Sequence, residues 1–221
     1  MRVFIAMLML AGVALLPLRV VLAGAGLDAA GVSARAVTGS VWWGRMDAAA
    51  VRGARLGDVR VRLAPLALAA GTMRFEIAGA TVRGAVLRSR DGGGIAGVTG
   101  QLGAMALGGL PVAGVALESV DIGFARGVCQ VATGQLRLVP GGLMGGFGAL
   151  AGAPRCDGAA VVVPLVSASG DARLELRIAA DGGYRAVLAV KGVDEAARDG
   201  LLAAGFQPTP QGLVMRSEGR L

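Results

Sequence analysis

The chain contains no histidine. That absence removes the serine and cysteine triads that use a histidine base, the histidine-ligated metal sites and the commonest acid–base side chain. Carboxylates remain, but they stand apart along the chain, and the pair Asp194 and Glu195 sits where a helix N-terminus favours negative charge. Aromatic residues make up only 4%. Lysine is nearly absent as well: of 22 basic side chains, all but Lys191 are arginine. A net charge of +7 would suit nucleic acid, yet Arg52, Arg60, Arg74, Arg88, Arg137 and Arg173 are scattered singly, with too few aromatics among them to stack bases. Nucleic acid is therefore not an expected partner, and the arginines are read as solvated strand faces. The stretch from Pro140 to Leu150 is glycine-rich, but it lacks both the GxGxxG order after a strand and the lysine of a phosphate loop. It is read as a short helix or linker. No catalytic residue, metal ligand set or cofactor site is assigned.

Cysteine is scarce, with Cys129 and Cys156 alone. In an exported chain an even count points to one disulfide; in a reducing compartment the same two would be buried thiols acting as small hydrophobes. The compartment decides between them, and the N-terminus speaks to it. From Val3 to Leu18 the chain carries no charge, after a single basic residue, Arg2. Two readings stay open. Ala23-Gly24-Ala25 offers a small-residue cleavage site for a signal peptide. Against cleavage, the run is long for a signal core, Arg19 interrupts the approach to the site, and Val20 to Ala23 extend the apolar stretch toward the ~20 residues that span a bilayer. The uncleaved anchor is preferred, with Arg19 snorkelling to the headgroups. Residues 1–25 are then the anchor and 26–221 the body. Arg2 favours a cytoplasmic N-terminus, which puts the body in the periplasm.

The body is dominated by period two. Val59, Val61 and Leu63 alternate with Asp58, Arg60 and Arg62; Met73, Phe75 and Ile77 with Arg74 and Glu76; Val120, Ile122 and Phe124 with Asp121 and Gly123; Leu174, Leu176 and Ile178 with Arg173, Glu175 and Arg177. Further strands are expected at Thr38–Trp43, Thr81–Arg88, Val112–Leu117, Val128–Leu138, Ala159–Leu165, Tyr184–Val190 and Gly212–Leu221. Asp181-Gly182-Gly183 and Asp91 to Gly94 supply turn residues. Val193–Ala204 reads as a helix, with Asp194 as N-cap and Gly205 just past its end. The expected fold is mainly β: a transmembrane helix followed by an elongated, curved antiparallel sheet with one or two short helices. Whether it forms a sandwich, a barrel or an open groove is not decided by the pattern. A groove beside an anchor would also suit acyl chains, which makes phospholipid a candidate ligand.

The segment Gly39-Ser40-Val41-Trp42-Trp43-Gly44-Arg45 resembles the Gly-Thr-Leu-Trp-x-Gly-Arg signature near the start of type II secretion system protein N, with Ser40 and Val41 in place of threonine and leucine. The likeness continues in Cys156-Asp157-Gly158, Asp181-Gly182-Gly183-Tyr184 and the closing Gly219-Arg220-Leu221. It implies a single-pass inner-membrane protein with a periplasmic β domain, not an enzyme, that works with other inner-membrane subunits of the secretion machine. That family is similar in turn to AsmA-type envelope proteins, which keeps lipid binding or transfer as the alternative. For Gly39, Trp42, Trp43, Gly44 and Arg45 the resemblance implies a contact with a partner. On packing grounds alone, one tryptophan would enter the core and the other would sit at an edge or toward the bilayer.

Overall fold

The computed structural model describes residues 16–24, 31–51, 53–107 and 109–220. The first half of the chain supplies β1 (Val32–Ser33), β2 (Ala36–Gly39), β3 (Gly44–Val51), β4 (Ala54–Leu63), β5 (Met73–Gly79), β6 (Val82–Arg88), β7 (Gly92–Leu102), β8 (Met105–Leu107) and β9 (Leu110–Ala125). The second supplies β10 (Val128–Pro140), β11 (Leu150–Gly152), β12 (Arg155–Asp157), β13 (Ala160–Ser167), β14 (Ala172–Ala179), β15 (Gly183–Val190), β16 (Gln207–Thr209) and β17 (Gly212–Arg220). The helices are α1 (Leu18–Gly24), α2 (Pro65–Ala69) and α3 (Glu195–Ala203), with a 3-10 helix at Gly142–Phe147.

Pairing follows chain order and is antiparallel throughout: β3 to β4, β5, β6, β7, β9 and β10, then through β11 to β13, β14, β15 and β17. Short strands fill the margins, with β1 and β2 along β3, β8 along β9, β12 along β13 and β16 along β17. Among the described residues no pairing joins the two ends, so the sheet is open.

The alternation explains the burial. In β4, Val59, Val61 and Leu63 are buried while Arg60 and Arg62 are exposed, and across the ladder Met46 faces Val59 and Leu63 faces Phe75. A first cluster forms from Leu18, Val41, Met46, Val59, Val61, Leu63 and Phe75. A second gathers Val161, Val163, Leu165, Leu174, Leu188, Val190 and Leu213, with Leu201 of α3 laid over them. Each such side chain contributes about 1.5–3 kcal/mol relative to exposure. The helix α3 starts as its sequence predicts: the Ala197 N–H donates to Asp194 Oδ1 at 2.7 Å.

Three segments depart from the alternation. Thr38–Trp43 is not one strand, because β2 ends at Gly39 and Ser40–Trp43 turns the chain into β3. Gly92 and Gly94 lie inside β7 rather than in the turn, since carbonyls of β9 approach too closely there for any Cβ. Val112–Leu117 and Val120–Phe124 belong to one strand, β9, interrupted at Ser119, whose φ is 48°. Of the expected anchor, residues 1–15 and Ala25 lie outside the described residues, as does Leu221 of the last strand. Residues 18–24 form α1, and among the described residues no helix is long and apolar enough to cross a membrane.

Cys129 and Cys156 are joined by a disulfide whose Cα atoms are 5.5 Å apart. It spans a gap in the ladder. β10 pairs with β11 only from Leu136 to Leu138, Pro154 interrupts the chain before β12, and the backbone link at this level is Cys129 N–H to Gly158 O at 3.1 Å. For a separation of 27 residues, replacing both cysteines by alanine is expected to cost about 3–4 kcal/mol on the loop-entropy argument. Urea unfolding of the two proteins measures the difference. Thiol labelling of exposed Cys156 in the native chain would show instead that the bond is absent.

Candidate functional site

The Gly39–Arg45 segment folds as the connection between β2 and β3. Gly39 and Gly44 form the last pair of the ladder, and the Trp43 N–H donates to Ser40 O at 3.2 Å. Gly39 sits at φ +84°, and a Cβ there would overlap the Trp43 carbonyl oxygen, so glycine is required on two counts. Val41, in the middle of the turn, is buried and held from both sides: its N–H donates to Leu16 O at 2.9 Å and its carbonyl accepts from the Leu63 N–H at 2.9 Å.

Gly44 has a different reason for lacking a side chain. Leu18 of α1, fully buried, sits directly on it, and a Cβ would overlap Leu18 Cδ2. Pro17 makes a bridge with Ser40 beside this contact. The N-terminal segment is thus part of the first cluster. Trp42 is half-buried against that cluster, whereas Trp43 is 79% exposed.

Arg45 points to the opposite face. Its Nε donates to Asp47 Oδ1 at 2.9 Å and its Nη2 to Asp58 Oδ2 at 3.2 Å. The second oxygen of Asp58 accepts the Ala48 N–H at 3.0 Å, where Ala48 forms a bulge at φ 48°. That backbone donation first, and the Arg45 guanidinium second, hold the Asp58 carboxyl below its ordinary range. Arg45 and Asp58, with Arg60 and Gly79, border an open recess of about 390 Å³. Among the described residues no cluster of three His, Cys, Asp or Glu is placed to hold a metal.

The structure brings Gly39, Trp42, Trp43 and Gly44 into one turn and its flanking pair, with Arg45 next on β3 facing the other way, while Cys129 belongs to the other cluster. Sequence reasoning missed Leu18, Asp47 and Asp58 as its supports. Leu18 carries no separate signal inside a uniformly apolar run; Asp58 follows Gly57 at a strand bulge, a signal that was available. What results is a strand-borne turn that presents the Trp43 indole beside the N-terminal segment. The chain belongs to the family of type II secretion system (T2SS) protein N, whose model matches residues 30–215. Membership points to a component of type II secretion and implies contact with the other subunits of that system. No curated protein and no solved structure matches the chain.

Two predictions follow from the turn. Gly44→Ala is expected to destabilise the fold by about 1–3 kcal/mol, the usual cost of overpacking. Leu18→Ala in the same chain should relieve part of that cost, and a double-mutant cycle by urea unfolding reads the coupling; strict additivity would show that the two residues do not meet. For Asp58, a depressed folded pKa means that its contribution is present above the ordinary aspartate value of about 3.9 and is lost as pH falls through the lower folded value. Asp58→Asn keeps an acceptor for Ala48 but no charge. Its melting temperature should therefore fall less steeply than that of the native chain below about pH 4.

Proposed function

We propose that this protein is a non-enzymatic, single-pass component of the inner membrane, with residues 1–25 as anchor and 26–221 as a periplasmic β domain. It aids assembly or operation of the machine that exports folded proteins across the outer membrane. The family match supports the secretion role. The observation that carries the anchored reading is Leu18: cleavage after Ala25 would remove a fully buried member of the first cluster together with the Leu16 carbonyl that receives Val41. Losing a leucine from such a site costs about 2–5 kcal/mol, which favours a segment that stays attached. The Cys129–Cys156 bond suits an oxidising compartment, and the uncharged run from Val3 suits insertion.

The test is deletion of the gene, with proteins in the medium compared against those held in the periplasm and with detergent sensitivity of the outer membrane measured alongside. Exported proteins trapped behind an intact envelope, and released again by the restored gene, are the expected result. Normal export with a leaky envelope would overturn the secretion role in favour of AsmA-like lipid handling.

A further inference from the structure

Large apolar side chains stand exposed together at one end of the first strands. Leu66 is 86%, Trp43 79% and Val20 56% exposed. Isolated exposed hydrophobics need no account, but a group does. The register and backbone bonds bring their segments to the same end of the sheet. Gly44 pairs with Val61, so β4 ends beside the turn that carries Trp43, and the Leu63 N–H reaches Val41 O there. Two residues later Pro65 opens α2, which presents Leu66. From the other side, Pro17 bridges to Ser40, and α1 turns Leu18 into the core while Arg19 and Val20 face outward.

Two observations choose the occupant of this rim. The uncharged run from Val3 onward arrives at this same end, its last residues, Leu16 and Pro17, being tied to Val41 and Ser40. Whatever that run enters, the rim meets next. The rim's composition is also that of an interfacial surface: an indole suited to headgroup level, aliphatic tips for the outer acyl region and a guanidinium on Arg19 for anionic phosphate.

We infer that Trp43, Val20 and Leu66 form a membrane-contact surface that seats the first strands in the headgroup layer of a phospholipid bilayer. This rests on the anchored reading above and adds a second, peripheral contact to it. An interfacial element of this kind enters roughly 5–10 Å. The turn is held by Leu16, Leu18 and Leu63, so the contact also fixes the tilt of the sheet against the membrane.

The experiment uses the full chain with Trp42→Phe, which leaves Trp43 as the sole tryptophan. It is reconstituted into phosphatidylethanolamine–phosphatidylglycerol vesicles with acyl chains brominated either near the glycerol or near the bilayer centre. Should Trp42→Phe fold poorly, subtracting the emission of Trp43→Phe from that of the native chain isolates the same signal. Flotation after an alkaline wash, on the same samples, reports anchoring independently. The expected result is a floating chain whose Trp43 emission is blue-shifted relative to detergent-free buffer, sheltered from acrylamide, and quenched more by shallow bromines than by deep ones. A floating chain whose Trp43 emits as in water and ignores both bromines overturns the rim while leaving the anchor intact. A chain that does not float overturns both. Shelter that appears only when purified secretion subunits are added overturns the lipid assignment and makes the rim a protein-docking surface.

Discussion

Register is the constraint on which this sheet depends. Side chains alternate with period two, so a slip of one residue exchanges the apolar and charged faces of a strand. Because each strand pairs with its neighbour in the chain, an uncorrected slip would pass to every strand beyond it. The sheet contains its slips at bulges, and three of them share one device. At Ala48, Gly97 and Ser119 the extra residue takes positive φ, and its N–H is accepted by a side chain of the adjacent strand: Asp58, Asp121 and Thr99 Oγ1 respectively. The parity of the strand then changes but its facing does not. Gly44 and Met46 face the first cluster before Ala48, and Ala49 faces it afterwards. Val115 packs against the second cluster before Ser119, and Ile122 and Phe124 after it.

The same devices decide what was legible in the sequence. Where alternation runs unbroken, as at Val59–Leu63 or Leu174–Ile178, strand, facing and neighbours can all be read from residue type. Where a bulge flips the phase, the pattern breaks in two, which is why β9 reads as two strands. β7 was invisible, because Gly92 to Gly94 and Gly97 remove the side chains on which period two is counted. The site was legible only in part. Gly39 and Gly44 announce a backbone that must come close to something, but the partners, the Trp43 carbonyl and Leu18, are fixed by tertiary packing.

The arginine excess finds its place on the outer faces. Arg62 meets Glu76, Arg177 meets Asp157 and Arg185 meets Glu218 across strands, each pair well exposed. Pairs of this kind contribute little, about 0–1 kcal/mol. Like charges also stand directly opposite one another, Arg45 against Arg60 and Arg177 against Arg185, so the apolar alternation rather than the charge pattern holds the register. Long arginine stems also cover apolar surface beneath them.

On the proposed anchored reading, the packing of Leu18 has a geometric consequence. If the last residues of the 1–25 anchor stay packed on the body from Leu16 onward, the uncharged stretch left to cross a bilayer is residues 3–15. Any helix of that many residues, at 1.5 Å each, would supply about 20 Å, against a hydrocarbon core of ~30 Å. A short span is accommodated by thinning the bilayer or by drawing flanking residues into the interface. Leu16 is fixed to Val41 by a backbone hydrogen bond, so the flank cannot move without the turn. The residues drawn in with it are those on the exposed side of that turn and of α1, Trp43 and Val20, with Leu66 at the end of the neighbouring strand. On the anchored reading, a short run and a rigid seat therefore require an apolar rim at this end of the sheet, and a long run with a flexible linker would not.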